Sequence, residues 1–198
     1  MRMRLKSKWR EKGRARSLED NAVALAANLW RIAVTCASNL HEKAFEYDSD
    51  EQRVGVIREY LAFLVHVSDR LAAGIMDDEA RRRFVTALAT GVARHVQENQ
   101  SEVLGAGDHG AQFIGQLNHR STDYAEMEFA EDGSSYASLR YLAGEIQELM
   151  GDSQVNRWVT EQVVEIDGPE AVDGLRQAMD SLFGTSVSPM PAGFDPED

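Results

Sequence analysis

The residue pairs in this chain best suited to chemistry are histidines followed by an acidic residue three or four positions later. The three pairs are His66 with Asp69, His95 with Glu98, and His119 with Asp123. Residues at these spacings share one face of a helix, so each pair would present an imidazole beside a carboxylate. Helical bundles can hold metals with such groups, and di-iron bundles use a Glu-x-x-His motif for this purpose. No histidine in this chain has a glutamate three residues before it. We therefore expect no metal ligands and no stoichiometric transition metal.

His66 is the most credible buried imidazole, because it lies in an apolar run at residues 60–67. A buried imidazole needs a hydrogen-bond partner, and Asp69 or Arg70 follows one turn later. Together with Tyr60, these residues form a candidate ligand-binding set on one helix. The alternative is a purely structural polar contact, which the sequence alone favours over a functional site.

The other two histidines suit a site less well. His95 extends an apolar row and is expected at the edge of the core. His119 falls on a face expected to be solvated, together with Gln112, Gln116, Asp123 and Glu126. Cys36 lies among small and apolar residues and is expected to be an inert packing group. No nucleophile-elbow, Walker or paired-cysteine motif is present, so we name no catalytic residue and no cofactor.

A glycine-rich segment at residues 105–110 matches Gly-x-Gly-x-x-Gly and precedes a predicted helix. In a dinucleotide fold those glycines would bring backbone N–H groups close to a pyrophosphate. That interpretation requires a preceding strand, whereas a helix is predicted here, and Asp108 would repel phosphate. We interpret the segment as an interhelical loop in which Asp108 caps the next helix.

Residues 1–16 form a basic arm with a charge of about +7, whereas the rest of the chain carries −19. An extended arm would place its cations on one side, where they could follow the phosphate backbone of a nucleic acid. A helical arm would be amphipathic and suit a membrane surface. A solvated tail resting on the acidic body is an equally good interpretation. The candidate polyanion-binding residues are Arg2, Arg4, Lys6, Lys8, Trp9, Arg10, Lys12, Arg14 and Arg16.

The composition is that of a globular protein, with 43% apolar and 27% charged residues in 198. The single cysteine excludes an intrachain disulfide, so the fold does not depend on an oxidising compartment. The first apolar stretch is periodic and contains Asn28 and Arg31, unlike a signal peptide. We expect a cytoplasmic protein.

The chain predicts an all-α, single-domain bundle of about six to seven helices, organised around a central helix at residues 53–75. That segment is apolar on most of its circumference, which is typical of a buried helix. Ser17 and Ser49 start helices with capping boxes, and all four prolines lie at Pro169 or later. The predicted organisation is a basic arm at 1–16, a helical domain at 17–183 and a disordered acidic tail at 184–198.

Two local expectations follow from the same patterns. Arg81, Arg82 and Arg83 oppose the dipole at the start of the third helix, and we expect acidic partners such as Asp77, Asp78 or Glu79. The run at residues 167–169, Asp-Gly-Pro, predicts that one helix ends and the next begins there.

Three functional hypotheses remain open at this stage. The preferred one is a non-enzymatic helical interaction or adaptor protein. The second is a bundle with a buried small-molecule or metal site near His66. The third is a protein that binds membranes or nucleic acid through its arm. The large apolar area of Trp30, Trp158 and Phe183 also predicts a homodimer or higher oligomer.

Overall fold

The computed structural model describes residues 17–129, 134–151, 153 and 155–184, and the predicted arm and nearly all of the predicted tail lie outside them. The described chain is all α, as predicted. Its long helices are α1 (Leu18–Glu42), α2 (Asp50–Ala73), α3 (Asp78–Leu104), α4 (His109–Ala125) and α5 (Tyr136–Met150). A 3₁₀ turn (Asn156–Trp158), the short α6 (Val159–Gln162), a π-helical turn (Val163–Asp167) and α7 (Gly168–Phe183) complete the fold.

The predicted central helix is confirmed as α2, which contacts α1, α3, α4, α5 and α7. It buries residues around most of its circumference, including Tyr60, Phe63 and Leu64, each fully inaccessible to solvent. Helix α1 packs most extensively on α3. Among the described helices, α1 alone has a length and hydropathy that would also fit a membrane-crossing segment, and a buried core helix meets the same criterion.

Side-chain caps define where the helices begin. The hydroxyl of Ser17 accepts from Asp20 N and the Asp20 carboxylate accepts from Ser17 N, which confirms the first capping box. The second box is only half formed. Ser49 Oγ accepts from Gln52 N, but the Gln52 side chain bonds to Asp48 N and Leu149 O instead of Ser49 N. Gln52 therefore ties the start of α2 to the end of α5.

The backbone does not leave the helical region at residues 167–169, contrary to the sequence expectation. Gly168 keeps helical dihedral angles, and Pro169 is accommodated in the first turn of α7 after the π-helical turn. A Cβ atom on Gly168 would lie 2.6 Å from Leu139 Cδ2 and 2.7 Å from Val163 O. Glycine is therefore required where this turn packs on α5.

The apolar surface also differs from the expected pattern. In a regular helix that begins at Ser153, Val155, Trp158 and Ile166 would lie on the apolar side, but they are 41%, 55% and 42% exposed. The mixed 3₁₀, α and π geometry of this segment changes the angle between successive residues, so a constant helical period places these side chains wrongly. Val159 and Val163 are the residues of this segment that fill the core.

Candidate ligand-binding site

A pocket of about 220 Å³ opens between α2, α3 and α4. Three of the four residues in the candidate ligand-binding set line it. The full lining is Val65, His66, Asp69, Arg70, Arg81, Val85, Ser121 and Ala125. Ala125 is exposed and His66 is 6% exposed, so the pocket runs from the surface to a buried imidazole.

Aromatic rings hold His66 in place. Its ring centroid lies 4.9 Å from that of Tyr124, nearly parallel, and 4.7 Å from that of Phe129. Nε2 of His66 is buried and has no hydrogen-bond partner among the described residues. A buried polar atom without a partner is destabilising unless water or a ligand satisfies it. The ring of His66 lines the pocket, while its Nε2 is closed off from solvent.

The pKa of His66 is lowered to about 4, so the imidazole is neutral at pH 7. Burial is the main cause, because it disfavours the charged form. The guanidinium groups of Arg70 and Arg81 lower the pKa further, while the carboxylate of Asp69 raises it. A neutral imidazole can donate from one ring nitrogen and accept at the other.

Asp69 forms a two-pronged ion pair with Arg81 of α3. Arg81 Nε donates to Asp69 Oδ1 at 2.7 Å, and Arg81 Nη2 donates to Oδ2 at 2.6 Å. The acidic partners that the sequence predicted for the three arginines at the start of α3 are correct for Arg82, which binds Glu79. They are wrong for Arg81, which binds Asp69, and for Arg83, which binds Glu19 of α1. The spacing of charges along one helix could not reveal Arg81 as a residue of this pocket.

Arg70 contributes a second cation to the pocket lining. Its guanidinium carbon lies 4.6 Å from the centroid of the Phe129 ring, a cation–π contact that fixes the side chain. Its Nε is buried and has no partner within the described part of the chain. Thus two residues that line one pocket, Arg70 and His66, each have a buried nitrogen without a partner among the described residues.

Tyr60, the fourth residue of the candidate ligand-binding set, does not line this pocket. Its fully buried hydroxyl lies in the electrostatic field of Cys36, Tyr47 and Asp167, and burial raises its pKa well above 10. Six residues on a helix separate Tyr60 from His66 by about 120° around the axis, so the two side chains leave α2 in different directions.

Asp167 is the centre of this second buried cluster, at the end of the π-helical turn. It is 1% exposed, and burial raises its pKa to about 6. Gln162 Nε2 donates to its Oδ1 at 3.3 Å. Burial also raises the pKa of the Cys36 thiol to about 12, which agrees with an unreactive packing group.

A third polar cluster, which the sequence did not reveal, joins α2, α4 and α5 around Glu59 and Arg120. Arg120 Nε and Nη2 donate to the two carboxylate oxygens of Glu59 at 2.9 and 2.8 Å, and Gln116 donates to Glu59 at 2.6 Å. Arg120 also pairs with Glu145 and donates to the hydroxyl of Tyr141 at 3.0 Å. We call these five residues the Glu59 cluster.

The face of α4 that was expected to be solvated is so at Gln112, His119 and Glu126, whereas Gln116 and Asp123 turn towards the Glu59 cluster. Glu59 is only 3% exposed, and Gln116 and Asp123 are partly buried. The hydroxyl of Tyr141 donates to Asp123. One signal in the sequence was available: Glu59 lies three residues after Val56 and four before Phe63, within an apolar row.

The remaining motifs have structural explanations. In the glycine-rich loop, Asp108 caps α4 through Ala111 N, and Gly110 N donates to Gln97 Oε1 at 2.9 Å. The backbone N–H of Gly110 is thus already satisfied by protein. In the described part of the chain, no three His, Cys, Asp or Glu side chains group as metal ligands would.

Comparisons with protein-family models, curated proteins and solved structures find no match for this chain.

Proposed function

We propose that this protein is a helical binding protein that takes a small polar molecule into the pocket beside His66. The observation that supports the proposal is the buried imidazole of His66, which lines a pocket of about 220 Å³ and whose Nε2 has no hydrogen-bond partner among the described residues. This volume is several times what one water molecule requires. An apolar wall with a few convergent polar groups is the usual form of a small-molecule site.

The lining suits binding through its chemistry as well as its shape. Val65 and Val85 provide apolar surface, while Ser121, His66 and Arg70 provide polar groups. The ion pair between Asp69 and Arg81 braces α2 against α3, so the pocket walls are held before a ligand arrives. Preformed walls reduce the conformational entropy lost on binding.

The test is a methyl NMR titration with small neutral, cationic and anionic organic compounds. The methyl signals of Val65 and Val85 should move with at least one class, while those of Val172 in α7 should not. Millimolar dissociation constants correspond to only about −4 kcal/mol, so concentrations up to about 10 mM are appropriate. If no class of compound moves Val65 or Val85, the proposal is wrong.

Two variants on one helix provide the control. Ala125→Leu places a larger side chain at the opening of the pocket and should abolish the shifts. Ala111→Leu makes the same change at another exposed position of α4, outside the pocket lining, and should leave them intact. Equal binding by the two variants would place the ligand elsewhere.

A second candidate function, protein interaction, is favoured by the exposed aromatic surface. Trp158 is 55% exposed and Tyr136 68% exposed, and aromatic residues are enriched in the contacts that dominate protein interfaces. A homodimer or an adaptor role would cover this surface. Light scattering at micromolar concentration tests self-association: a dimer mass that Trp158→Gln reduces to a monomer supports it, and a monomer mass for the wild type contradicts the homodimer.

Binding of polyanions through residues 1–16 stays a prediction, because the arm lies outside the described residues. Its test compares the full chain with a protein that begins at Ser17. The two should unfold at nearly the same temperature, because the Ser17 cap and every described helix remain. Only the full chain should bind anionic vesicles or single-stranded nucleic acid at low salt. Equal binding by the two proteins would contradict the prediction.

A further inference from the structure

The polar lining of the His66 pocket carries an unbalanced positive charge. Asp69 is the one carboxylate among the described residues that line it, and both of its oxygens accept hydrogen bonds from Arg81. That pair is neutral as a unit. Arg70 has no acidic partner of this kind within the described chain, and its charge rests on the face of Phe129. The described lining of the pocket therefore favours a negative guest.

The hydrogen-bonding groups point to the same class of guest. Nε of Arg70 can only donate, and the neutral imidazole of His66 can donate from Nε2 in one tautomer. Both side chains line the pocket, and each has one buried nitrogen without a partner among the described residues. Two donors beside a cation match the oxygen atoms of a carboxylate or sulfonate, and hydrogen bonds to an ionised group are about twice as strong as neutral ones.

Size and apolar surface limit what accompanies the charged group. The volume of about 220 Å³ accommodates a molecule of a few carbon atoms. Val65 and Val85 offer a short apolar wall. A nucleotide would exceed this space, and a purely inorganic anion, phosphate or diphosphate included, would leave the apolar wall unused.

We propose that the His66 pocket selects small organic anions, with the charged group beside Arg70 and the imidazole of His66 and the apolar part against Val65 and Val85. This inference rests on the proposed function and specifies its ligand class.

Anion binding should also couple to the protonation of His66. The charged or titratable groups that face the ring are Asp69 and Arg70 from α2, Arg81 from α3 and Tyr124 from α4. Burial raises the pKa of Tyr124 well above 10, so it stays neutral. A bound anion adds negative charge beside the ring and offsets the effect of Arg70. The pKa of His66, about 4 without ligand, should therefore rise when the pocket is filled.

The experiment compares probes of one shape and different charge at pH 7: butyrate, butyramide and butylammonium. Butyrate should bind at least about tenfold more tightly than butyramide, which is the effect of one charge-assisted hydrogen bond. Butylammonium should not bind. Ethanesulfonate, which remains ionised in acid, should raise the NMR titration midpoint of His66 above about 4.

Arg70→Gln and Arg58→Gln form a matched pair of variants. Both arginines lie on α2 and have a buried Nε without a partner in the described chain, but only Arg70 lines the pocket. Arg70→Gln should lose the preference for butyrate over butyramide, and Arg58→Gln should keep it.

The outcomes separate the two proposals. If butyramide or butylammonium binds as tightly as butyrate, the pocket is a ligand site but the anion inference is wrong. If Arg70→Gln retains full selectivity, the assigned cation is wrong and the inference fails. If no probe of any charge moves the pocket signals, the proposed function fails together with this inference.

Discussion

The His66 pocket and the Glu59 cluster lie on two sides of one aromatic residue, and they use buried polar groups in opposite ways. The ring of Tyr124 stacks on His66 at 4.9 Å and meets Tyr141 edge-on at 5.1 Å. In the Glu59 cluster, the oxygens of Glu59 accept three donors from Arg120 and Gln116. At the pocket, Nε2 of His66 and Nε of Arg70 have no described partner.

This difference separates architecture from binding. A satisfied polar network fixes which helices pack together, because breaking it would leave buried charges uncompensated. Buried nitrogens without described partners, on two residues that line a pocket, have no such structural value and are costly to maintain. The first arrangement orders α2, α4 and α5, and the second is the one suited to a ligand.

The largest expected effect comes from breaking the Glu59 cluster. Arg120→Met leaves the carboxylate of Glu59, 3% exposed, without its main partner. Removing one member of a buried ion pair typically costs about 3–5 kcal/mol. Urea unfolding should show a loss of that size, and the exposed neighbour His119→Ala should change stability by less than about 0.5 kcal/mol. If Arg120→Met loses less than about 1 kcal/mol of unfolding free energy, the cluster does not have the architectural role assigned to it.

The next effect is the pH dependence caused by His66. Its pKa is 6.5 in the unfolded chain and about 4 in the folded one, so the unfolded state binds the proton first as the pH falls. The free energy of unfolding should therefore decrease between about pH 6.5 and 4, by on the order of 2–3 kcal/mol. His66→Gln should remove this slope. An unchanged slope in the variant would show that His66 is not buried as described.

Asp167 must be controlled in that measurement, because it acts in the opposite direction. Its pKa rises from 3.8 in the unfolded chain to about 6 in the folded one. Its carboxyl group therefore favours folding at low pH, and this contribution is lost as the pH rises through about 6. The comparison of His66 with His66→Gln is cleanest in an Asp167→Asn background, where this opposing slope is absent.

Tyr141→Phe should have a smaller effect. Its hydroxyl donates to Asp123 and accepts from Arg120, so the variant leaves two partners without that group. A hydrogen bond to a charged group contributes roughly 1.5–3 kcal/mol, and solvent at this partly buried site reduces the expected loss to about 1–2 kcal/mol. Chemical denaturation measures it, with Tyr136→Phe, an exposed tyrosine on the same helix, as a control that should be neutral.

The smallest effect is expected for Tyr124→Phe, which tests whether Tyr124 differs from the hydrogen-bonded Tyr141. The hydroxyl of Tyr124 is buried and has no partner among the described residues. Tyr124→Phe should therefore be neutral or slightly stabilising, within about 0.5 kcal/mol, because no hydrogen bond is lost. A loss as large as that of Tyr141→Phe would show that Tyr124 belongs to the hydrogen-bonded network after all.

The helices were predictable because their signals are local. The periodic apolar rows and the caps at Ser17 and Asp108 involve residues within four positions of each other. The depth of His66 followed from the apolar run around it. In contrast, the π-helical turn near Pro169 was not predicted, because its geometry depends on packing against Leu139.

The composition of the site was only partly predictable for the same reason. Asp69 and Arg81 are 12 residues apart and on different helices, and Glu59 and Arg120 are 61 apart. Which charge meets which is decided by how the helices pack, and no local pattern encodes it. Tyr60 shows the converse, since residues on one helix need not face one site.

The most direct test of the contrast is a ¹⁵N NMR titration with butyrate that follows the side-chain nitrogens of His66 and Arg120 together. The account predicts that the His66 ring signals shift to saturation while Arg120 Nε, already bonded to Glu59 at 2.9 Å, stays in place. Unchanged His66 signals, or equal shifts at the two residues, would contradict the assignment of one cluster to binding and the other to architecture.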